Sequence, residues 1–174
     1  VTGVRNSFFE INNLKTGKGQ LFTEEHFRQR KSVCVIGKDL ETKLFGGTSA
    51  LGKSVKCGNN YFKVIGIHER RIASRDALNA LGLSDYNTQI FVPLEVALMR
   101  FGDRSRITGD DVGRNADDDE DPMHQVDRLV VRVEESKYLQ ATADVVSRML
   151  KRRHFNQVDF KVEIPELLLQ QEQK

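Results

Sequence analysis

VCVIGKDLETKLFGGTSALGKSVKCGNNYFKVIGI, residues 33–67, is the stretch whose reading decides the fold. Val33-Cys34-Val35-Ile36 is short, apolar and β-branched, which predicts a buried strand ended by Gly37. From Lys38 to Phe45 a short helix is expected, because Leu40 and Leu44 share one helical face with Phe45 beside them. Gly46-Gly47 closes that helix as a C-terminal glycine does. Residues 53–57 and 61–65 then flank Gly58-Asn59-Asn60, residue types that tolerate positive φ, so a β-hairpin is predicted.

The same stretch carries a motif that argues against this reading. Gly47, Gly52, Lys53 and Ser54 spell G-x-x-x-x-G-K-S, the phosphate-binding P-loop. That loop works because a buried strand delivers the glycines to a helix N-terminus, whose N–H groups hold the phosphates. Here the order is reversed: the predicted helix precedes the glycines and a predicted strand follows Ser54. No later apolar strand ends in the Asp that would hold magnesium. The context favours a turn into a hairpin, with a nucleotide-binding enzyme using Lys53 and Ser54 as the disfavoured alternative.

Outward from this centre, Phe8-Phe9-Glu10-Ile11-Asn12-Asn13-Leu14 predicts a strand, ended by a turn around Thr16-Gly17-Lys18-Gly19. Thr23 is positioned to cap a short helix with Glu24 and Glu25 in its first turn. Residues 70–87 read as a connecting excursion with a short helix. Residues 89–93 read as a strand stopped by Pro93, and Leu94, Ala97, Leu98 and Phe101 stripe a following helix. In the C-terminal third, residues 127–133 alternate as a strand. Residues 137–153 form the clearest helix, capped by Ser136, and residues 159–164 alternate as another strand before Pro165. A last helical piece is expected over 166–174. Hairpins mixed with helices point to an α+β fold.

Composition bounds the function. With 174 residues the chain can bury a core as one domain or two joined subdomains. A net charge of +2 gives no strong attraction to nucleic acid or to an anionic membrane. No apolar run approaches the roughly 18–20 residues of a membrane-spanning helix. Opening at Val1 without an initiator Met, the chain reads as a fragment of something longer. Cys34 and Cys57 lie on strand-like runs and read as two buried thiols, with a disulfide as the alternative. His26, His68, His124 and His154 have no metal-ligand spacing, so no zinc site is expected. Seven acids between Asp110 and Asp121 predict a solvated loop; a calcium-modulated binding module is the alternative, although the spacing of a calcium loop is missing. No nucleophile signature is present, and no catalytic residue or cofactor is assigned.

A resemblance extends this reading. Gly3-Val4 with Phe8-Phe9, Leu14, Lys18-Gly19-Gln20 and Leu21-Phe22-Thr23-Glu24-Glu25 is similar to the opening of the periplasmic core domain of MacB/FtsX-like ABC transporter permeases. Gln20 stands where an arginine is usual in that family. Residues 33–37, Leu44-Phe45, Leu51-Gly52-Lys53 and residues 61–67 resemble the family's most distinctive block, and Ile90-Phe91-Val92-Pro93-Leu94 its next strand–proline step. Residues 129–160 resemble its closing strand–helix–strand. The resemblance implies an extracytoplasmic domain of an inner-membrane permease, built as two subdomains: residues 1–30 with 127–174 as an α/β unit, and residues 31–126 as a β-rich insertion. It implies a non-catalytic part, working with the rest of the permease and an ATPase domain or subunit, as a homodimer, in some members with a periplasmic adaptor. On exposure, the expected partner-contact residues are Gly58, Asn59 and Asn60 at the hairpin tip and Asp117, Asp118 and Asp119 in the acidic loop.

Overall fold

A computed structural model describes residues 1–71, 85–101, 126–156 and 159–164. Along the chain run β1 (Thr2–Val4), α1 (Asn6–Ile11), β2 (Thr16–Gly19), α2 (Glu24–Arg28), β3 (Val33–Gly37), α3 (Lys38–Phe45), β4 (Ser54–Cys57) and β5 (Asn60–His68). After the excursion come β6 (Ile90–Pro93), α4 (Leu94–Phe101) and α5 (Leu139–Arg153), with 3₁₀ turns at Tyr86–Thr88 and Ser136–Tyr138. The chain divides into two compact units, Val1–Arg71 with Tyr86–Val130, and Ile72–Asp85 with Val131–Lys174.

The first unit is built on one mixed sheet of six strands ordered β1-β6-β3-β5-β2, with β4 also paired to β5. β5 is therefore shared by three partners: β3 runs parallel to it, while β4 and β2 run antiparallel. The alternation of β3 sorts the core. Cys34 and Ile36 face a cluster with Phe62, Val64, Ile67, Val92 and Val96, against which Leu40 and Phe45 of α3 pack. Val33 and Val35 face the other way, onto Phe9, Phe22, Phe27 and Phe91, so α1 and α2 cover the opposite face. A buried strand with helices on both sides must be apolar on both faces, which is why residues 33–36 read as a continuous apolar run.

β5 carries a bulge. Cys34 opposes Val64 and Val35 opposes Gly66, so Ile65 is the extra residue. The shift returns Ile67 to the face of Phe62 and Val64, while Ile65 packs with the other cluster. Gly66 permits this, because a Cβ there would overlap the carbonyl of Gln20.

Several expectations hold: α2 behind Thr23, β3, α3, the β4–β5 hairpin, β6 and α4 all form where the pattern places them. Others are corrected. The expected strand over residues 8–14 is the helix α1, because Phe8 and Phe9 both pack: Phe9 is 5.5 Å from Phe91 and 5.9 Å from Phe22, and Phe8 is 5.4 Å from Phe91, centroid to centroid. Adjacent positions point to opposite faces of a strand but to one broad stripe of a helix. The expected turn at residues 16–19 is β2, recruited by β5 despite two glycines. Residues 127–133 and 159–164 alternate in sequence but are assigned no strand, and the long helix starts with a 3₁₀ turn without a side-chain cap from Ser136. The helix expected over 166–174 lies outside the described residues. Because β1 pairs with β6 and β2 with β5, residues 1–30 share a unit with residues 31–71, a different partition from the grouping of 1–30 with 127–174.

Phe91 sits at the centre of the aromatic cluster, with no exposed surface and rings of Phe8, Phe9, Tyr86 and His68 around it. Phe91→Ala is expected to lower unfolding free energy in urea by about 3–5 kcal/mol. Phe155→Ala, at a ring 93% exposed, is expected to change it by less than about 0.5 kcal/mol.

Candidate functional site

The glycine turn after α3 is filled from within. Gly46, Gly47 and Gly52 all take positive φ, and Lys53 leads into β4, a strand rather than a helix. Glu41, on the inward stripe of α3, is 3% exposed. Its Oε1 accepts the N–H of Ala50 at 3.2 Å, and its Oε2 accepts from Lys38 Nζ at 2.5 Å. Burial pushes the Glu41 carboxyl up, but the Lys38 bond, the Ala50 amide and the charges of Lys38 and Lys18 together outweigh it and leave it below the usual value. Lys53 turns back toward the end of α3, donating to Thr48 Oγ1 at 3.0 Å and lying 5.2 Å from the Phe45 ring centroid. An amide inside the motif is thus already bonded to a carboxylate, whose charge repels phosphate.

A second polar cluster pins the root of the excursion. The chain leaves the first unit after Arg71 and returns at Tyr86. Asn87 bridges the two stems: its Oδ1 accepts the N–H of Arg71 and its Nδ2 donates to the Arg71 carbonyl, both at 2.8 Å. Tyr86 Oη donates to Asn12 Oδ1 at 3.2 Å, and Arg71 Nη1 to the Asn12 carbonyl at 3.4 Å. Fully buried His68 places Nδ1 2.8 Å from the Glu69 carbonyl and Nε2 2.9 Å from that of Tyr86. Gly37 lies so close that a Cβ there would collide with the Asn87 carbonyl.

The hairpin tip is the exposed end of the first unit's sequence-predicted contact residues. Gly58 and Asn59 are exposed, Gly58 with φ +58°. Asn60 Nδ2 donates to the Arg100 carbonyl at 3.2 Å, which ties the tip to the last turn of α4. Phe62 stacks on Phe101 at 5.9 Å and 17°, reinforcing that joint. Asp117, Asp118 and Asp119 lie outside the described residues.

The remaining candidates have structural partners. Thr23 N–H donates to His26 Nδ1 at 3.1 Å, closing the start of α2, and His154 Nδ1 is 2.7 Å from Asp159 Oδ1. His124 lies outside the described residues. Cys34 and Cys57 are free and buried. Burial, with Cys57 adding, pushes the Cys34 thiol up to about 12, so it is no nucleophile at neutral pH. Among the described residues no three His, Cys, Asp or Glu side chains are placed to hold a metal ion, and no helix is long and apolar enough to cross a membrane.

Sequence reasoning missed Glu41, Asn12, Tyr86 and Asn87. Only Glu41 had a signal: it stands next to Leu40 and four residues before Phe45, an acid beside the apolar face of α3.

Known proteins are similar to this chain in sequence and in fold. A sequence model described as the MacB-like periplasmic core domain matches residues 1–149. The macrolide export ATP-binding/permease protein MacB of Chromobacterium violaceum is 26% identical over 168 residues, covering 97% of this chain and 22% of its own length. The pyoverdine export ATP-binding/permease protein PvdT of Pseudomonas putida is 29% identical over 173 residues, covering 98% and 22%. The chain therefore spans about a fifth of the length of these curated relatives. The crystal structure of the periplasmic region of MacB from Actinobacillus actinomycetemcomitans superposes with a TM-score of 0.60 at 18% identity, over 98% of this chain and 64% of that one.

Glu41 gives the sharpest test of the glycine turn. Its lowered folded-state value means its stabilisation is complete above the ordinary carboxyl value of 4.5 and is lost as pH falls through the lowered one. Glu41→Gln is expected to cost about 1–2 kcal/mol at pH 7 and less at pH 3, measured by urea unfolding at both.

Proposed function

The chain belongs to the family of MacB-like periplasmic core domains, and from that membership we propose that it is a non-catalytic domain that converts ATP-driven motion of an export permease into movement outside the membrane. The match over residues 1–149 carries the reading. ATP would be hydrolysed by a cytoplasmic domain or subunit, as the ATP-binding/permease descriptions of the relatives suggest for this chain's parent. We further propose a homodimer in the intact transporter, and contact with a periplasmic adaptor at Gly58, Asn59 and Asn60. Substrate export follows as the parent's activity.

Two features of the fold support a mechanical role. The chain crosses between its two compact units after Arg71, before Tyr86 and after Val130. The first two crossings meet at the bidentate Asn87–Arg71 bonds, which hold the two chain ends together within the first unit. The sheet behind that stem is covered on both faces, and a packed interior transmits displacement rather than absorbing it.

The test uses the intact ATP-binding/permease polypeptide, spin-labelled at Ser54→Cys in the first unit and Ser147→Cys on α5. Electron–electron distances are expected to differ between nucleotide-free and ATP-trapped states. Identical distance distributions in both states would contradict a role in transmitting motion.

A further inference from the structure

The end of α5 holds a residue that its geometry disfavours. His154 N–H donates to the Leu150 carbonyl and Asn156 N–H to the Lys151 carbonyl, both at 2.8 Å, the wide turn that closes a helix through a left-handed residue. Glycine is the usual occupant, because any other L residue brings its Cβ against the backbone there. Here the residue is Phe155, with φ +52°, followed by Asn156 at +67°. A bulky side chain at such a φ is an outlier that calls for a reason. Packing does not supply one: Phe155 is 93% exposed, more than any other large apolar side chain among the described residues. The turn is held from behind instead. His154 Nδ1 lies 2.7 Å from Asp159 Oδ1, and its ring meets Phe160 edge-on at 5.8 Å. Lys151, Arg152 and Arg153 stand exposed in the preceding turn. The carbonyl end of the helix accounts for these cations. It does not account for the phenylalanine.

We propose that the end of α5 is a membrane-contact tip, with Phe155 entering the interface of an anionic bilayer and Lys151, Arg152 and Arg153 lying among its phosphates. The surroundings of the ring select lipid over protein. A protein partner buries an aromatic anchor within a patch of further apolar contact. The chain neighbours of Phe155 are three cations, a histidine and an asparagine. An apolar tip with cations directly behind it matches a bilayer edge, where phosphates lie outside and acyl chains begin deeper. The net charge of +2 does not oppose this, because surface attraction acts within a Debye length and the three cations sit in one turn. The family places such a surface nearby, since its relatives are ATP-binding/permease proteins. The inference goes beyond the transmission of motion proposed above and does not depend on it.

Flotation of the 174-residue chain with vesicles tests this, comparing phosphatidylcholine containing phosphatidylglycerol with phosphatidylcholine alone. Phe155→Gly is the deciding variant, because glycine keeps the left-handed turn and removes the ring. Its melting temperature is expected to rise by about 2–4 °C while binding to the anionic vesicles weakens about fivefold. Lys151→Glu/Arg152→Glu is expected to weaken binding about thirtyfold, Lys43→Glu on α3 not at all, and added salt to weaken it throughout. Absence of binding, binding unchanged in Phe155→Gly, or equal binding to the neutral vesicles overturns the proposal. So does a fall in melting temperature in Phe155→Gly, since the ring would then be packing rather than projecting. A photo-crosslinking side chain in place of Phe155 in the intact transporter is expected to give lipid adducts. Adducts to protein alone, a second copy of the chain included, overturn the proposal as well.

Discussion

One strand constrains everything else in the first unit. β5 is hydrogen-bonded along one edge to β3 and along the other to β4 and then β2, so a single segment fixes the register of three others. Its middle is the bulge at Ile65, and the bulge works only because Gly66 lets the Gln20 carbonyl approach. From there the order propagates. β3 brings β6 into the sheet, β6 brings β1, and the aromatic cluster around Phe91 locks α1 and α2 against one face. Residues 33–67 are thus the scaffold on which β1, β2 and β6 are hung.

That dependence gives the glycine-lysine-serine motif a geometry unlike that of a phosphate cradle. The turn it occupies is tied to β5 by two backbone bonds, Gly52 N–H to the Val64 carbonyl and Val64 N–H to the Lys53 carbonyl, at 2.8 and 2.9 Å. Glu41 holds the turn from the helix side through Ala50. A phosphate cradle needs free amides converging at a helix start, and here they are spent on a sheet edge and a carboxylate. The motif letters recur because turns into hairpins also favour glycine and because lysine and serine suit an exposed strand start. Residue identity at fixed spacing carries chemistry only in its structural context.

Much of the fold was legible because local and global signals agreed. Val33-Cys34-Val35-Ile36 is short, β-branched and ended by Gly37, all of which favour a buried strand, and Lys38–Phe45 has both a stripe and a glycine terminator. Phe8-Phe9-Glu10-Ile11 misled, because a short apolar segment satisfies both periods, and packing around Phe91 decided for the helix. β2 was invisible for the opposite reason: Thr16-Gly17-Lys18-Gly19 has turn composition, and only the free edge of β5 makes it a strand. The exposure of Gly58 and Asn59 was legible, that of half-buried Asn60 less so, and the Asn87–Arg71 stem was not legible at all. Its members lie 16 residues apart, and nothing in sequence marks an asparagine side chain that imitates a strand partner.

The account stands on a member of the MacB-like periplasmic core domain family whose glycine turn is sealed by Glu41. Amide-resolved NMR of the ¹⁵N-labelled chain during a magnesium–ATP titration tests that most directly. The account predicts no saturable shift at Ala50, Leu51, Gly52 or Lys53. Saturable shifts at those four amides, abolished by Lys53→Ala, would contradict it.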